Sequence, residues 1–153
     1  VSDPVIKDDT EITITDELLQ SDGEWAKAIS PALAALKLCS SSYQLQFPTV
    51  NKISSWALEA KGFNMQKFSP GQGYKDWHCE VASKGSPPRM LVWSAYLNTM
   101  TDLGGTDFFY QKFTCKAEQG KIVLWPPYWT HFHRSQVSPT ETKYILTGWM
   151  THT

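Results

Sequence analysis

The pattern of hydrophobic and polar positions changes once along the chain, near residue 68. Before that point, residues 31–39 (PALAALKLC) are rich in Ala and Leu and predict a helix that begins at Pro31, since proline is common at the first helical position. Residues 50–60 predict a second helix, for which Gly62 would provide the C-terminal cap. Residues 12–15 (ITIT) alternate and predict an early strand. Residues 1–68 are therefore predicted to be mainly helical support.

From residue 69 onward, short apolar or alternating segments are separated by Gly, Pro and Ser. They predict strands over residues 74–80, 89–97, 106–113, 121–125, 131–137 and 143–151. The connections are too short for the crossovers that parallel strands require, so we expect antiparallel strands. The sequence therefore predicts one domain over residues 1–153 with an α+β fold that is mainly β. Its core, residues 69–153, would be a jelly-roll sandwich or barrel, with the N-terminal helices packed on one side.

Composition and charge narrow the range of partners. With 14 Lys and Arg against 15 Asp and Glu, the net charge is −1, which argues against a nucleic-acid or anionic-membrane partner. No apolar stretch reaches the length of a membrane-spanning helix. Three cysteines without a Cys-x-x-Cys pair predict free thiols and a reducing, cytoplasmic location. The charged run Lys7-Asp8-Asp9 is interpreted as a solvated segment.

The candidate chemistry begins at His78 and Glu80. Residues two apart on a strand share a face, so this imidazole and this carboxylate could bind one ion side by side. A third ligand would come from a distant strand, and His131 and His133 are candidates about fifty residues later. Two histidines and one carboxylate leave coordination positions open. That arrangement suits non-haem Fe(II) oxygen chemistry.

Lys143 adds a candidate anion anchor. It follows His133 by ten residues across a turn at 138–141, so an antiparallel return would bring both side chains to one barrel mouth. A cation there could hold the carboxylate of a co-substrate. Alternation predicts that Ile145, Thr147 and Trp149 face the same way as Lys143, and that the residues between them face the opposite way.

Short motifs follow one another in a fixed order from residue 71 to residue 151. They are Gly73-Tyr74, Trp77-His78-Cys79-Glu80, Arg89, Tyr96-Leu97-Asn98, Gly104-Gly105-Thr106-x-Phe108, Gly120, Trp125-Pro126-Pro127, a distal histidine, Lys143-Tyr144 and Gly148-Trp149. In this order they resemble the prolyl-4-hydroxylase-like branch of the Fe(II)/2-oxoglutarate-dependent oxygenases. The resemblance covers a little over half of the chain.

The resemblance implies a double-stranded β-helix, the cupin-like form of the jelly roll. It implies a dioxygenase that uses Fe(II), 2-oxoglutarate and O₂, with ascorbate as an optional reductant. Such an enzyme hydroxylates a C–H bond and releases succinate and CO₂. The substrate would be a small molecule or a peptide, for which the family suggests a prolyl or other residue.

The resemblance also assigns roles to individual residues. His78 and Glu80 match the first two iron ligands, although most relatives have Asp at the second. Lys143 matches the basic residue that pairs with the distal carboxylate of 2-oxoglutarate, and Tyr96 matches a tyrosine whose hydroxyl assists it. Thr147 and Trp149 match positions that line the cofactor pocket. Arg89 matches a position near the substrate channel.

The distal iron ligand is left open between two histidines. Counting back ten residues from Lys143 selects His133, whereas counting forward from the Trp-Pro-Pro motif at 125–127 favours His131. We predict His133, because the step from Lys143 crosses a single tight turn.

Two other functions fit parts of the sequence. One is a cupin-like metal enzyme that uses no 2-oxoglutarate, and the other is a non-catalytic jelly-roll binding module. Lys143 and Tyr96 distinguish the first from the oxygenase, because an enzyme without 2-oxoglutarate has no need for a basic anchor at that position.

Overall fold

The computed structural model describes residues 6–53, 55–58, 62–86 and 88–153. In chain order its elements are β1 (Lys7–Asp8), β2 (Thr10–Ile14), α1 (Asp16–Ser21), α2 (Gly23–Gln46), α3 (Val50–Ile53), β3 (Trp56–Leu58), β4 (Phe63–Phe68), β5 (Gly73–Tyr74), β6 (Arg89–Tyr96), β7 (Thr106–Phe108), β8 (Phe113–Cys115), β9 (Ile122–Trp125), a 3₁₀ helix (Trp129–His131), β10 (His133–Ser135) and β11 (Lys143–His152).

The strands form three antiparallel sheets. The large sheet has six strands, in the order β2-β4-β11-β6-β9, with β3 pairing to the end of β11. The small sheet has the order β10-β7-β8, and β1 pairs with β5. The prediction of a mainly β, antiparallel fold is confirmed. Among the described residues, no strand pairing joins the large and small sheets into a closed barrel.

The long helix α2 differs from the predicted one at its start. It begins after Asp22, whose side chain accepts from Glu24 N at 3.0 Å, so the prediction that a helix begins at Pro31 is wrong. Pro31 lies inside α2 and cannot donate to the carbonyl of Lys27. Ser30 Oγ donates to that carbonyl instead, at 3.3 Å. The N-cap at residue 22 therefore outweighs the proline signal.

The predicted helix over residues 50–60 is also wrong for most of its length. The observed helix, α3, ends at Ile53. Residues 56–58 form β3, which pairs with residues 150–152 of β11. Residues 54 and 59–61 lie outside the described part of the chain. Gly62 has φ +94°, and a Cβ there would lie 2.2 Å from Ile14 O, so it allows close approach to β2.

Strands begin well before residue 69. Strand β4 lies between β2 and β11 in the large sheet, and β3 pairs with the end of β11, so residues 1–68 contribute three of its strands as well as helices. The predicted early strand at residues 12–15 corresponds to β2. The predicted strand over residues 106–113 is two strands, β7 and β8, and only residues 133–135 of the predicted strand 131–137 are extended.

The large sheet has a different core on each face. On one face, helices α1 and α2 pack against a cluster that includes Ile14, Phe63, Trp93 and Leu146. The other face meets the small sheet through a second cluster, which includes Val92, Tyr96, Phe108, Cys115 and Trp125.

The cysteines agree with the expectation from the sequence. All three cysteines are free thiols. In the part of the chain that the structure describes, no helix combines the length and the apolar character needed to cross a membrane.

Candidate active site

A cavity of about 150 Å³ opens between the large and small sheets. Seven of the eight predicted site residues line it: His78, Glu80, Tyr96, His133, Lys143, Thr147 and Trp149. The alternation predicted for β11 therefore holds on this face. The eighth residue, Arg89, reaches the site through its contact with Glu80.

His78 and Glu80 are not on a strand, so the strand predicted over residues 74–80 is wrong beyond Tyr74. His78 instead forms an isolated bridge with His133, in which each backbone N donates to the other residue's O at 3.0 Å. Glu80 N donates to Pro127 O at 3.0 Å. Backbone hydrogen bonds to residues distant in the sequence, and not the alternation of a strand, therefore hold His78 and Glu80 in position.

The side chains of His78, Glu80 and His133 converge on one point. Their ligand atoms lie within 4.8 Å of one another. Glu80 Oε1 is 3.6 Å from His78 Nε2 and 3.5 Å from His133 Nε2. Each Nδ1 lies 2.9 Å from a backbone carbonyl, of Asp76 for His78 and of His131 for His133. A carbonyl can only accept, so each Nδ1 carries a proton and the Nε2 lone pair is free to bind a metal.

The electrostatics of the cluster match this arrangement. Burial, together with the nearby His133, lowers the pKa of His78 to about 4, so its ring is neutral at pH 7. Burial would raise the pKa of Glu80, but His133, His78 and Arg89 outweigh it and hold that pKa below its usual value. Tyr74 stacks on the His78 ring with centroids 3.5 Å apart. Two imidazoles whose Nε2 atoms face one carboxylate oxygen fit a divalent metal ion such as Fe(II).

His131 lies outside this cluster. It ends the 3₁₀ helix, and its Nδ1 lies 3.1 Å from Thr130 Oγ1. Its backbone carbonyl orients the ring of His133. Of the two histidines left open by the sequence, the geometry brings His133 to His78 and Glu80.

Lys143 provides a buried cation on the cavity wall. Lys143 is 4% exposed. Its Nζ donates to Ser135 Oγ at 2.6 Å and lies 4.7 Å from the centroid of the Phe68 ring. Burial lowers the pKa of Lys143 to about 8. Within the described ranges no carboxylate forms an ion pair with Lys143.

The path from His133 to Lys143 differs from the predicted hairpin. Strands β10 and β11 do not pair, because β10 belongs to the small sheet and β11 to the large one. Lys143 reaches β10 across the cavity, through Ser135.

The hydroxyl groups of Tyr96 and Thr147 are held by neighbours. Tyr96 Oη is 2.7 Å from Thr106 Oγ1 and 3.4 Å from the backbone oxygen of Cys115. Burial raises the pKa of Tyr96, so its phenol stays protonated and can donate. Thr147 Oγ1 donates to Trp93 O and accepts from Ser94 Oγ, both at 3.0 Å.

Arg89 and Trp149 both contact Glu80. Trp149 Nε1 donates to Glu80 Oε2 at 3.0 Å, and Arg89 Nη1 donates to the same oxygen at 3.2 Å. The Arg89 guanidinium stacks 3.6 Å from the Trp149 ring centroid. The two residues therefore hold the candidate metal ligand. Trp149 also lines the cavity, as predicted, and the place of Arg89 near a substrate channel stays a prediction.

Several residues that line the cavity were not predicted from the sequence. The interpretation of Lys7 as solvated is wrong, because its side chain lines the cavity and bonds to Asp9 (3.2 Å) and Glu11 (2.7 Å). Asn64 and Gln66 line it from β4. The alternation in that strand (FNMQKF) was a usable signal for the last two, since they pair with cavity-facing positions of β11.

A row of aromatic rings begins beside His78. Trp77 contacts Phe109 with centroids 5.1 Å apart, Phe109 contacts Tyr110 at 5.1 Å, and Tyr110 contacts Trp129 at 6.5 Å. We call these four residues the aromatic ridge. Phe109, Tyr110 and Trp129 are 52%, 60% and 65% exposed.

Comparison with solved structures identifies this architecture. The prolyl hydroxylase of Trichoplax adhaerens, in complex with a peptide fragment of the hypoxia-inducible-factor oxygen degradation domain, superposes with TM-score 0.71 and 15% identity over 99% of this chain and 66% of its own. The Pseudomonas putida prolyl-4-hydroxylase gives TM-score 0.67 and 19% identity over 98% and 75%. The chain has the prolyl 4-hydroxylase fold. The viral collagen prolyl hydroxylase of Paramecium bursaria Chlorella virus-1, in its 2OG complex, gives TM-score 0.61 and 15% identity over 94% and 78%.

The prolyl 4-hydroxylase fold confirms the resemblance at the level of architecture. No protein-family model matches the chain, and no curated protein sequence matches it. At these identities the likeness carries the fold alone, so the chemistry has to be argued from the site.

Proposed function

We propose that this protein is an Fe(II)- and 2-oxoglutarate-dependent dioxygenase that hydroxylates a C–H bond. One observation carries the proposal: Glu80 Oε1 lies 3.6 Å from His78 Nε2 and 3.5 Å from His133 Nε2, with both Nδ1 atoms bonded to carbonyls. Three electron-pair donors facing one point repel unless they share a cation. Two histidines and a carboxylate suit iron and leave positions for further ligands.

The other end of the cavity supports 2-oxoglutarate as co-substrate. When bound, iron and 2-oxoglutarate would supply the oxidation of an unactivated C–H bond, with succinate and CO₂ as the other products. Lys143 would hold the distal carboxylate, since a buried cation without a carboxylate partner gains most from an incoming anion. Ser135 fixes the direction of the Lys143 ammonium.

The remaining walls would orient the co-substrate and exclude water. The protonated hydroxyl of Tyr96 would donate to the co-substrate, as the resemblance implies, once it turns away from Thr106 and Cys115. Thr147 keeps its hydroxyl in the sheet, so it shapes the wall instead of contributing a free donor. Val92 and Ile145 provide apolar wall between the polar ends, which limits water around the reacting groups.

We further propose a peptide as the substrate, with a prolyl residue as the first candidate. The aromatic ridge supports this choice, because exposed aromatic surfaces bind extended, proline-containing segments. The ridge starts at Trp77, next to a candidate iron ligand. A peptide crossing the ridge would therefore end near the cavity.

The test is an anaerobic titration followed by turnover. Adding Fe(II) and then 2-oxoglutarate should produce a weak visible charge-transfer band. Admitting air in the presence of ascorbate should release succinate, and proline-containing peptides should increase its rate. Absence of both the band and succinate contradicts the proposal. Metal-dependent turnover without 2-oxoglutarate supports a cupin-like enzyme instead.

A further inference from the structure

The two carboxylate oxygens of Glu80 have different partners. Oε1 faces Nε2 of His78 and of His133 at 3.6 and 3.5 Å. Oε2 accepts from Trp149 Nε1 at 3.0 Å and from Arg89 Nη1 at 3.2 Å. The Arg89 and Glu80 side chains are 16% and 15% exposed, so these bonds lie largely out of water.

An irregularity in strand pairing places Arg89 at this oxygen. Strand β6 pairs Val92 with Trp149 and Leu91 with Met150, but Thr151 then pairs with Arg89, so that Met90 is passed over. Side chains alternate along a strand, so a regular register would direct Arg89 toward the helices. The extra residue reverses the alternation, as β-bulges do next to active sites. Met90 packs against the helix-side core, and Arg89 lies over the Trp149 ring at 3.6 Å.

We infer that Arg89 and Trp149 are positioning residues that restrict Glu80 to binding iron through Oε1 alone. This inference rests on the proposed function. A glutamate has one more rotatable bond than the aspartate expected from the resemblance, so its carboxylate loses more freedom when it binds. A loose carboxylate could also turn and bind the ion through both oxygens. The two donors on Oε2 hold the carboxylate in one orientation before the ion binds, and they keep Oε2 away from the ion. A coordination position therefore stays open for the co-substrate.

The stacked geometry explains why these residue types serve together. The guanidinium is planar, so Arg89 can lie flat on the indole and still direct Nη1 at the carboxylate. The indole has a single N–H, and Trp149 donates it to the same oxygen. Each residue therefore orients the other as well as Glu80.

The first arm of the test measures metal binding without turnover. Co(II) is titrated into the wild type, Trp149→Phe and the matched control Trp25→Phe, with visible absorption as the readout. Trp25 packs against the core on the helix side of the sheet. Trp149→Phe should weaken Co(II) binding about tenfold, the usual lower range for groups that orient a metal ligand. Its spectrum should also change, because Oε2 loses one of its two donors and can turn toward the ion, whereas Trp25→Phe should match the wild type.

The second arm repeats the comparison in a Glu80→Asp background. The shorter side chain moves the carboxylate away from Trp149, so Trp149→Phe should then cost far less than tenfold. A merely structural role for the indole would give the same loss in both backgrounds, and that result overturns the inference. Arg89→Met removes the other donor and should weaken Co(II) binding in the same direction, which keeps the test usable if Trp149→Phe misfolds.

Different outcomes overturn the proposed function and the role of Arg89 and Trp149. If the wild type binds Co(II) in a His78-dependent way and neither Trp149→Phe nor Arg89→Met changes affinity or spectrum, the inference is overturned and the proposed function stands. If the folded wild type binds no Co(II), the proposed function is overturned together with the inference.

Discussion

The two faces of the large sheet are built from the same strands and carry opposite chemistry. On β11, Leu146 and Met150 face the helices and are 0% and 4% exposed. Lys143 and Thr147, on the alternate positions, face the cavity. One face contributes stability through apolar burial. The other holds buried polar groups that reduce stability unless something binds to them.

This difference points to the cavity as the candidate site without reference to other proteins. Burial depresses the pKa values of both His78 and Lys143, at separate positions on the cavity wall. Departures from the usual pairing of buried polar groups cluster at functional sites, where binding compensates for them. Mutations on the helix side should therefore change stability and leave ligand binding intact, and mutations on the cavity side should do the reverse.

The largest effect should come from removing a proposed metal ligand. His133→Ala leaves two ligands at the site and should abolish Fe(II) binding and turnover. His131→Ala is the matched control, because only the backbone carbonyl of His131 contacts the His133 ring. Anaerobic Fe(II) titration of both variants provides the measurement. Loss of binding in His131→Ala with retention in His133→Ala would exchange the assignments.

Leu146→Ala should produce the largest loss of stability. Its side chain is fully buried among the residues under α2, and truncation should lower the free energy of unfolding by about 2–5 kcal/mol. Urea unfolding of the metal-free protein measures this loss. Tyr144→Ala, at a 40% exposed neighbour, should cost much less. The folded Leu146→Ala protein should bind Fe(II) as the wild type does, and weaker binding would contradict the separation of the two faces.

The sequence predicted which residues line the cavity better than it predicted the backbone that carries them. Alternation along β11 was sufficient to place Lys143, Thr147 and Trp149, because a ten-residue strand has a strict period of two. The strand expected at His78 and Glu80 was wrong. Their positions depend on bonds to residues 127 and 133, and no local pattern encodes such distant partners.

The N-terminal region was harder to predict for two reasons, one local and one tertiary. Pro31 gave a valid local helix signal, yet the cap at Asp22 decides where α2 begins. Lys7 has the sequence context of a solvated terminus, and only its pairing opposite Tyr74 brings it to the cavity. Sequence patterns fix faces and local caps, whereas tertiary pairing decides which charged residues end up buried.

Lys143→Met should separate co-substrate binding from metal binding. Losing the charge that pairs with a carboxylate should raise the KM for 2-oxoglutarate about 10- to 100-fold, from the ~1.5–3 kcal/mol of a charged hydrogen bond. Methionine fills a similar volume and removes a buried charge, so the variant should be at least as stable as the wild type. Succinate release at increasing 2-oxoglutarate gives the KM, and an unchanged value would remove Lys143 from the site.

The smallest effect should be a pH dependence of the KM for 2-oxoglutarate, which arises from Lys143 on the cavity face. The pKa of Lys143 is about 8 in the folded protein, against an ordinary value of 10.5. Below pH 8 the ammonium is charged and can pair with a carboxylate, so the KM for 2-oxoglutarate should be flat there. Above pH 8 the KM should rise about tenfold for each pH unit, as the charged fraction falls.

The stability of the same protein should respond to pH in the opposite sense. Between pH 8 and 10.5 the unfolded chain keeps a proton on Lys143 that the folded chain has released, so the free energy of unfolding due to this residue rises with pH.

Lys143→Arg is the deciding control for the pH dependence of the KM, because arginine stays charged throughout this range. Its KM should lose the rise above pH 8. A rise that persists in Lys143→Arg would assign the titration to another group and leave the cavity face without its anion anchor.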